Sequence, residues 1–215
     1  MDEAQRMRRR GCLLFGGITA AILLLVLALG AFFGLRYARN MVNRLTDAQP
    51  LALPAVKLSA AQQDELNARV KTFGDDLRAG KSPAPLELTA DDLNAVIDSD
   101  PSFARVKHHL FVTIEGSQLG AQISFPAEDL GLSRMRGRFL NATGVFHAAI
   151  ATNELQITTI TLSVKGETLP TPLMREVMSV NLGEKINQDP RAAAELKRLE
   201  SLEVKDGKLI LVPKR

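Results

Sequence analysis

Apolar residues follow three patterns along this 215-residue chain, and each predicts a different kind of element. From Cys12 to Leu35 the chain is uncharged and overwhelmingly apolar, long enough as a helix to cross a ~30 Å hydrocarbon core. Between Ser59 and Gly80, Leu66, Val70, Phe73 and Leu77 recur at helical spacing, and Ser59 with Gln62 forms a capping box. From His108 the period becomes two. His108, Leu110, Val112 and Ile114 share one strand face; Leu119, Ala121, Ile123 and Phe125 share the next, across a turn at Gly116-Ser117.

A short helix is expected after Thr89, with Asp91 and Asp92 in its first turn and Leu93, Val96 and Ile97 on its apolar face. A longer strand pair is expected over 135–149 and 155–165, turning at Thr152-Asn153-Glu154, with Gly137 and Gly144 marking bulges or bends. The second of these strands has Leu155 and Ile157 at one parity and Ile160, Leu162 and Val164 at the other. Either a bulge or cover on both faces accounts for that. Helices bearing Leu173, Met174, Val177 and Met178, then Leu196 and Leu199, follow, and Asp206-Gly207 is the strongest hairpin signal in the chain. The expected fold is α+β: a single N-terminal transmembrane helix, then a curved antiparallel sheet of about six strands with packed helices.

The expected organisation is a cytoplasmic basic tail (1–11), a transmembrane helix (12–35), a juxtamembrane stalk (36–57) and an extracytoplasmic α+β domain (58–215). Arg6, Arg8, Arg9 and Arg10 precede the apolar run, and Arg36, Arg39 and Arg44 follow it. A cleaved signal peptide is the rival reading, but the run outlasts the usual ~7–15 residue apolar region and ends in arginines. A short basic tail before one anchor places the N-terminus in the cytoplasm and the larger part outside. Gly30-x-x-x-Gly34 in the span offers a close-packing face for a homodimer. Pro50 and Pro54 stiffen the stalk.

Charge changes this picture in one respect. The chain carries +3 overall, yet without the seven flanking arginines and Asp2 and Glu3 there remain 20 basic and 22 acidic residues. The domain is slightly acidic and has neither Trp nor Tyr, which removes the electrostatic and stacking arguments for nucleic acid. Its lack of cysteine removes thiol chemistry and cysteine-bound metal. His108 and His109, adjacent in a strand, point to opposite faces and cannot chelate one ion together without a bulge. No nucleophile–base set, phosphate loop or cofactor motif is present, so no enzyme, metal or cofactor is expected. Arg134, Arg136 and Arg138 alternate, and in a strand they form a basic stripe able to contact anionic groups.

The anchor, the run Leu88-Thr89-Ala90-Asp91-Asp92-Leu93-Asn94-Ala95-Val96-Ile97, the strands 112–116 and 155–164, and Gly166-Glu167-Thr168-Leu169-Pro170 before a helix resemble YpmS-type bacterial proteins. Those proteins are single-pass and extracytoplasmic, with a poorly defined function. More distantly the layout is similar to tubular lipid-binding folds. The resemblance covers about residues 85–182 and carries no catalytic signature. It implies that Leu155, Ile157, Ile160, Leu162 and Val164, with Leu173, Met174, Val177 and Met178, line an apolar groove. The expectation is an anchored, non-catalytic envelope protein that binds membrane lipid or another apolar ligand. The alternative is a scaffolding subunit that engages an envelope protein partner.

Overall fold

Each hairpin turn signal in the sequence closes a hairpin in the structure, a computed structural model that describes residues 36, 42–129 and 135–215. Gly116 alone has positive φ in the first turn; Thr152-Asn153 and Asp206-Gly207 are positive at both residues, as type I′ turns are. The chain divides into two compact units, Met1–Arg44 and Leu45–Arg215, of which the second is described below. The apolar run 12–35, with Gly30 and Gly34, lies outside the described residues. Among the described residues no helix is long and apolar enough to cross a membrane.

Helix α1 (Ala60–Arg78) begins at Ser59 with both hydrogen bonds of its capping box. Strand β1 (Leu86–Thr89) runs directly into α2 (Ala90–Ser99), and Thr89 with Asp92 forms a second capping box. Strands β2 (Leu110–Glu115), β3 (Gln118–Pro126), β4 (Phe139–Ala151) and β5 (Glu154–Val164) make an antiparallel meander, which the two-residue β6 (Glu167–Thr168) completes. Helices α3 (Thr171–Ser179), α4 (Glu184–Gln188) and α5 (Pro190–Leu196) lead to the hairpin β7 (Leu199–Lys205) and β8 (Lys208–Pro213).

The class is α+β with antiparallel sheets, but the single sheet of about six strands is corrected. Eight strands among the described residues form two sheets, ordered β2-β3-β4-β5-β6 and β1-β8-β7. Leu86-Glu87-Leu88 is a strand and not merely a lead-in, because Leu86 pairs with Leu211 and Leu88 with Leu209. The terminal hairpin thereby joins β1 to make a separate sheet. Its tip is tied to the β2–β3 tip, where Gly207 N–H donates to Gly116 O at 2.8 Å. The core fills the space between α1, this small sheet, α2, α5 and one end of β5, with Leu66, Phe73, Leu77, Leu88, Leu155 and Leu199 buried in it. Lys208 reaches from β8 to Glu87 on β1 at 2.6 Å and holds that carboxyl below its usual range.

A bulge resolves the ambiguity of β5. Phe146 pairs with Thr159 and Val145 with Thr161, so Ile160 is the extra residue. Beyond it the parity flips. Leu155, Ile157, Thr159, Leu162 and Val164 lie opposite Ile150, Ala148, Phe146, Gly144 and Ala142, alternate residues of β4 and therefore one face of the sheet. Gly144 is flush in this face, since a Cβ there would meet Phe146, Thr161 O and Leu162 at 2.9–3.1 Å.

The segment expected as a juxtamembrane stalk is fastened to the domain from Thr46 onward. Asp47 pairs with Phe139 as a β-bridge, and Asp47 also meets Lys165 at 3.0 Å. Leu51 N–H donates to Ser124 Oγ and Asn141 Oδ1, and Val56 and Leu58 pack on the core. The partners of Asp47 and Leu51 come from about 70–120 residues away, beyond the reach of a composition argument.

Candidate functional site: an apolar strip along the edge of β5

Because β6 pairs only with Ser163 and Val164, the outer edge of β5 from Leu155 to Ile157 has no strand beside it. A bare edge offers its N–H and C=O groups to any other chain. Two asparagines close it. Asn181 Oδ1 accepts from Ile157 N–H at 2.9 Å, and its Nδ2 donates to Leu155 O at 3.0 Å. Asn187 Oδ1 accepts from Leu155 N–H at 2.8 Å, and its Nδ2 donates to the same Leu155 O at 2.9 Å. Leu182 N–H completes the set by donating to Ile157 O at 2.9 Å. The backbone groups of Leu155 and Ile157 thus find the partners a neighbouring strand would supply. The other end of the sheet uses the same device: Asn94 of α2 accepts from Val112 N–H and donates to Val112 O, both at 2.7 Å.

This clamp dictates what faces solvent. Helix α3 stops at Ser179, and Val180 is extended with φ −91° and ψ 129°. In extended chain neighbouring side chains point opposite ways, so Asn181 turned toward β5 sends Val180 and Leu182 outward. Gly183 lies against the strand with no room for a side chain, Asn187 reaches in, and Ile186 is left outside. Met178 is exposed on the last turn of α3, and Ile160 bulges out of β5 itself. The exposures are 49% for Ile160, 46% for Met178 and Val180, 49% for Leu182 and 38% for Ile186. Five of the six large apolar residues on display among the described residues lie on this strip and the strand it caps; the sixth is Leu51. Val180, Leu182, Glu184, Lys185 and Gln188 also border a shallow cleft of about 400 Å³.

The residues expected to line a groove are divided by the structure. Leu155 and Val164 are buried, and Ile157 and Leu162 are half-buried beside them. Leu173, Met174 and Val177 are the half-buried side of α3, which packs on β5. Only Ile160 and Met178 of that set reach the open strip. Val180, Leu182, Ile186 and the clamp residues were not expected; the alternation Val180-Asn181-Leu182 was the available signal.

Thr159, on the same face of β5, is 3% exposed, and its hydroxyl has no hydrogen-bond partner among the described residues. Leaving a buried hydroxyl unbonded costs about 1–3 kcal/mol. Thr159→Val keeps the shape and removes the orphan group, so it is expected to stabilise the domain by about 1 kcal/mol in a denaturant titration. A loss of stability instead would show that the hydroxyl has a partner.

Among the described residues, Arg136 and Arg138 do not share a strand face. Strand β4 begins only at Phe139, because Gly137, with φ 75°, lies in a turn ahead of it. Arg136 pairs with Glu128 at 3.2 Å, and Arg138 donates to Thr46 Oγ1 and Thr46 O at 2.6 and 2.8 Å; Arg134 lies outside the described residues. His108 likewise leaves the strand, with φ 64°, and sits 3.7 Å from Asp98. His109 stacks on Phe125 with its Nδ1 2.7 Å from Ser124 O. Among the described residues no three His, Cys, Asp or Glu side chains are grouped to hold a metal. No family model matches the chain, nor does any curated protein or solved structure.

Proposed function

We propose that this chain is a single-pass envelope protein, anchored by residues 12–35 with its N-terminus in the cytoplasm, whose domain binds lipid or another apolar ligand without catalysis. One observation carries the reading: five large apolar side chains are held in water along the clamped edge of β5. Large apolar side chains exposed on one short segment and the strand it caps are the kind of surface that marks a contact site in soluble domains. Met178 adds an adaptable, polarisable contact at its head. The clamp makes the strip a rigid display, so little ordering entropy opposes binding. The YpmS-type resemblance belongs to the same proposal.

The test is photolabelling of the full chain in detergent with a photoactivatable phospholipid at near-stoichiometric amounts, followed by peptide mapping. Label on 155–162 and 178–188, displaced by unlabelled lipid, is the expected result. Label confined to 12–35 would overturn the reading and leave the scaffolding role to be pursued.

A further inference from the structure

We infer that the strip formed by Met178, Val180, Leu182 and Ile186, with Ile160 beside it, docks on the surface of the bilayer in which the chain is anchored, as a second membrane contact. The inference rests on the anchor of the proposed function and goes beyond its unspecified ligand.

Three observations select a bilayer as the occupant. The first is chain length. Only ten residues, 36–45, separate the apolar run from Thr46, where the chain is fastened to Arg138 and, through Asp47, to Phe139. Even fully extended, ten residues span at most about 35 Å. Thr46 therefore lies no more than about 35 Å from the end of that run, and for a domain tethered so closely a weak apolar contact with lipid acts at high effective concentration.

The second is the clamp. The asparagines occupy the backbone groups of β5 that a partner strand would need, so what the strip offers is side chains alone. Side chains without backbone donors suit an interface that has no matching strand to give, and apolar groups beside polar ones suit the headgroup boundary. The third is charge. Exposed Arg175 and Lys185 are balanced by exposed Glu176 and Glu184. Balanced flanks require no anionic lipid and produce no strong dependence on salt.

The experiment uses the full chain in nanodiscs of phosphatidylcholine. Cys12, the single cysteine, is replaced by serine, and an environment-sensitive fluorophore is placed at Leu182→Cys or, as a control, at Lys71→Cys on exposed α1. Lipids spin-labelled near the headgroup are expected to quench the Leu182 probe at least about twofold and to leave the Lys71 probe unchanged, since a docked strip enters only the interfacial layer. The quenching should survive about 0.5 M salt. Met178→Ser with Val180→Ser, both at exposed sites, should abolish it while circular dichroism and the unfolding midpoint stay the same. A Leu182 probe that reads as water, or quenching that disappears in salt, would overturn the inference. So would concentration-dependent cross-linking of strip to strip, which would make a second copy the occupant. Displaceable lipid labelling in detergent together with an unquenched probe would leave the proposed function standing and reject only this docking.

Discussion

Replacing Asn94 with alanine is expected to lower the stability of the domain by about 3 kcal/mol, although no apolar contact of consequence is lost. Asn94 is 3% exposed and engaged at both polar atoms: Oδ1 holds Val112 N–H, and Nδ2 bonds Ala90 O and Val112 O. Alanine would leave the Val112 donor and acceptor facing a packed helix, and each such group costs about 1–3 kcal/mol. Helix α2 would keep its capping box at Thr89, so the damage should fall on the α2–β2 contact and not on the helix. A urea titration checks this; with a slope of about 1–3 kcal/mol/M the midpoint should fall by about 1 M or more. A loss below about 1 kcal/mol would mean that water replaces the amide freely.

Asn94→Asp sharpens the same prediction by giving it a sign with pH. The carboxylate would still accept from Val112 N–H but would face two carbonyl oxygens, Ala90 O and Val112 O. Burial and repulsion would raise its folded pKa above the ordinary carboxylate range. A raised folded pKa means that the folded state takes up a proton that the unfolded state releases. The variant should therefore be at its best below the unfolded value, near 4, and lose stability as pH rises through the folded value. Wild-type protein should show no such loss over that interval.

What the sequence made legible and what it hid divide by distance along the chain. The caps at Ser59 and Thr89 and the turns at Gly116, Thr152-Asn153 and Asp206-Gly207 are decided within a few residues, and pattern alone finds them. The pairing of Leu86 with Leu211 spans most of the domain, and no local signal separates a four-residue strand from a lead-in. The fastening of the stalk from Thr46 onward and the placement of Arg136 and Arg138 off a strand face have one origin. Arg138, read as part of a basic stripe, and Asn141 of β4 are the groups that fasten Thr46, Asp47 and Leu51. The bulge at Ile160 was visible as one of two explanations for mixed parity, and only register could choose between them. Asn94, Asn181 and Asn187 look like ordinary polar residues because their purpose depends on a strand edge 18–32 positions away. For the same reason the resemblance set Ile160 and Met178 among seven residues that are buried or half-buried, whereas Val180, Leu182 and Ile186 owe their exposure to the clamp.

That dependence makes Gly183→Ala the second large effect. Gly183 has φ −77° and ψ −6°, a conformation alanine adopts without strain. On backbone grounds alone the change should stabilise by about 0.4–1 kcal/mol, by restricting the unfolded chain. Space reverses the sign. A Cβ at 183 would meet Leu155 O at 2.5 Å, Leu155 Cγ at 3.1 Å and Asn181 Oδ1 at 3.2 Å. The first is a backbone atom of a paired strand and cannot swing aside, so the 181–187 segment must lift from β5. Lifting breaks the asparagine bonds to Leu155 and Ile157, and the expected loss is about 2–4 kcal/mol, consistent with several part-buried hydrogen bonds failing at once. Amide exchange would localise it: Leu155 and Ile157 N–H should lose protection first, while β7 and β8 keep theirs. Because the edge of β5 would then be bare, the variant should also self-associate at concentrations where wild type does not. A Gly183→Ala protein as stable as wild type, with Leu155 still protected, would show that the segment is not seated on β5, and the display of Val180, Leu182 and Ile186 would lose its physical cause.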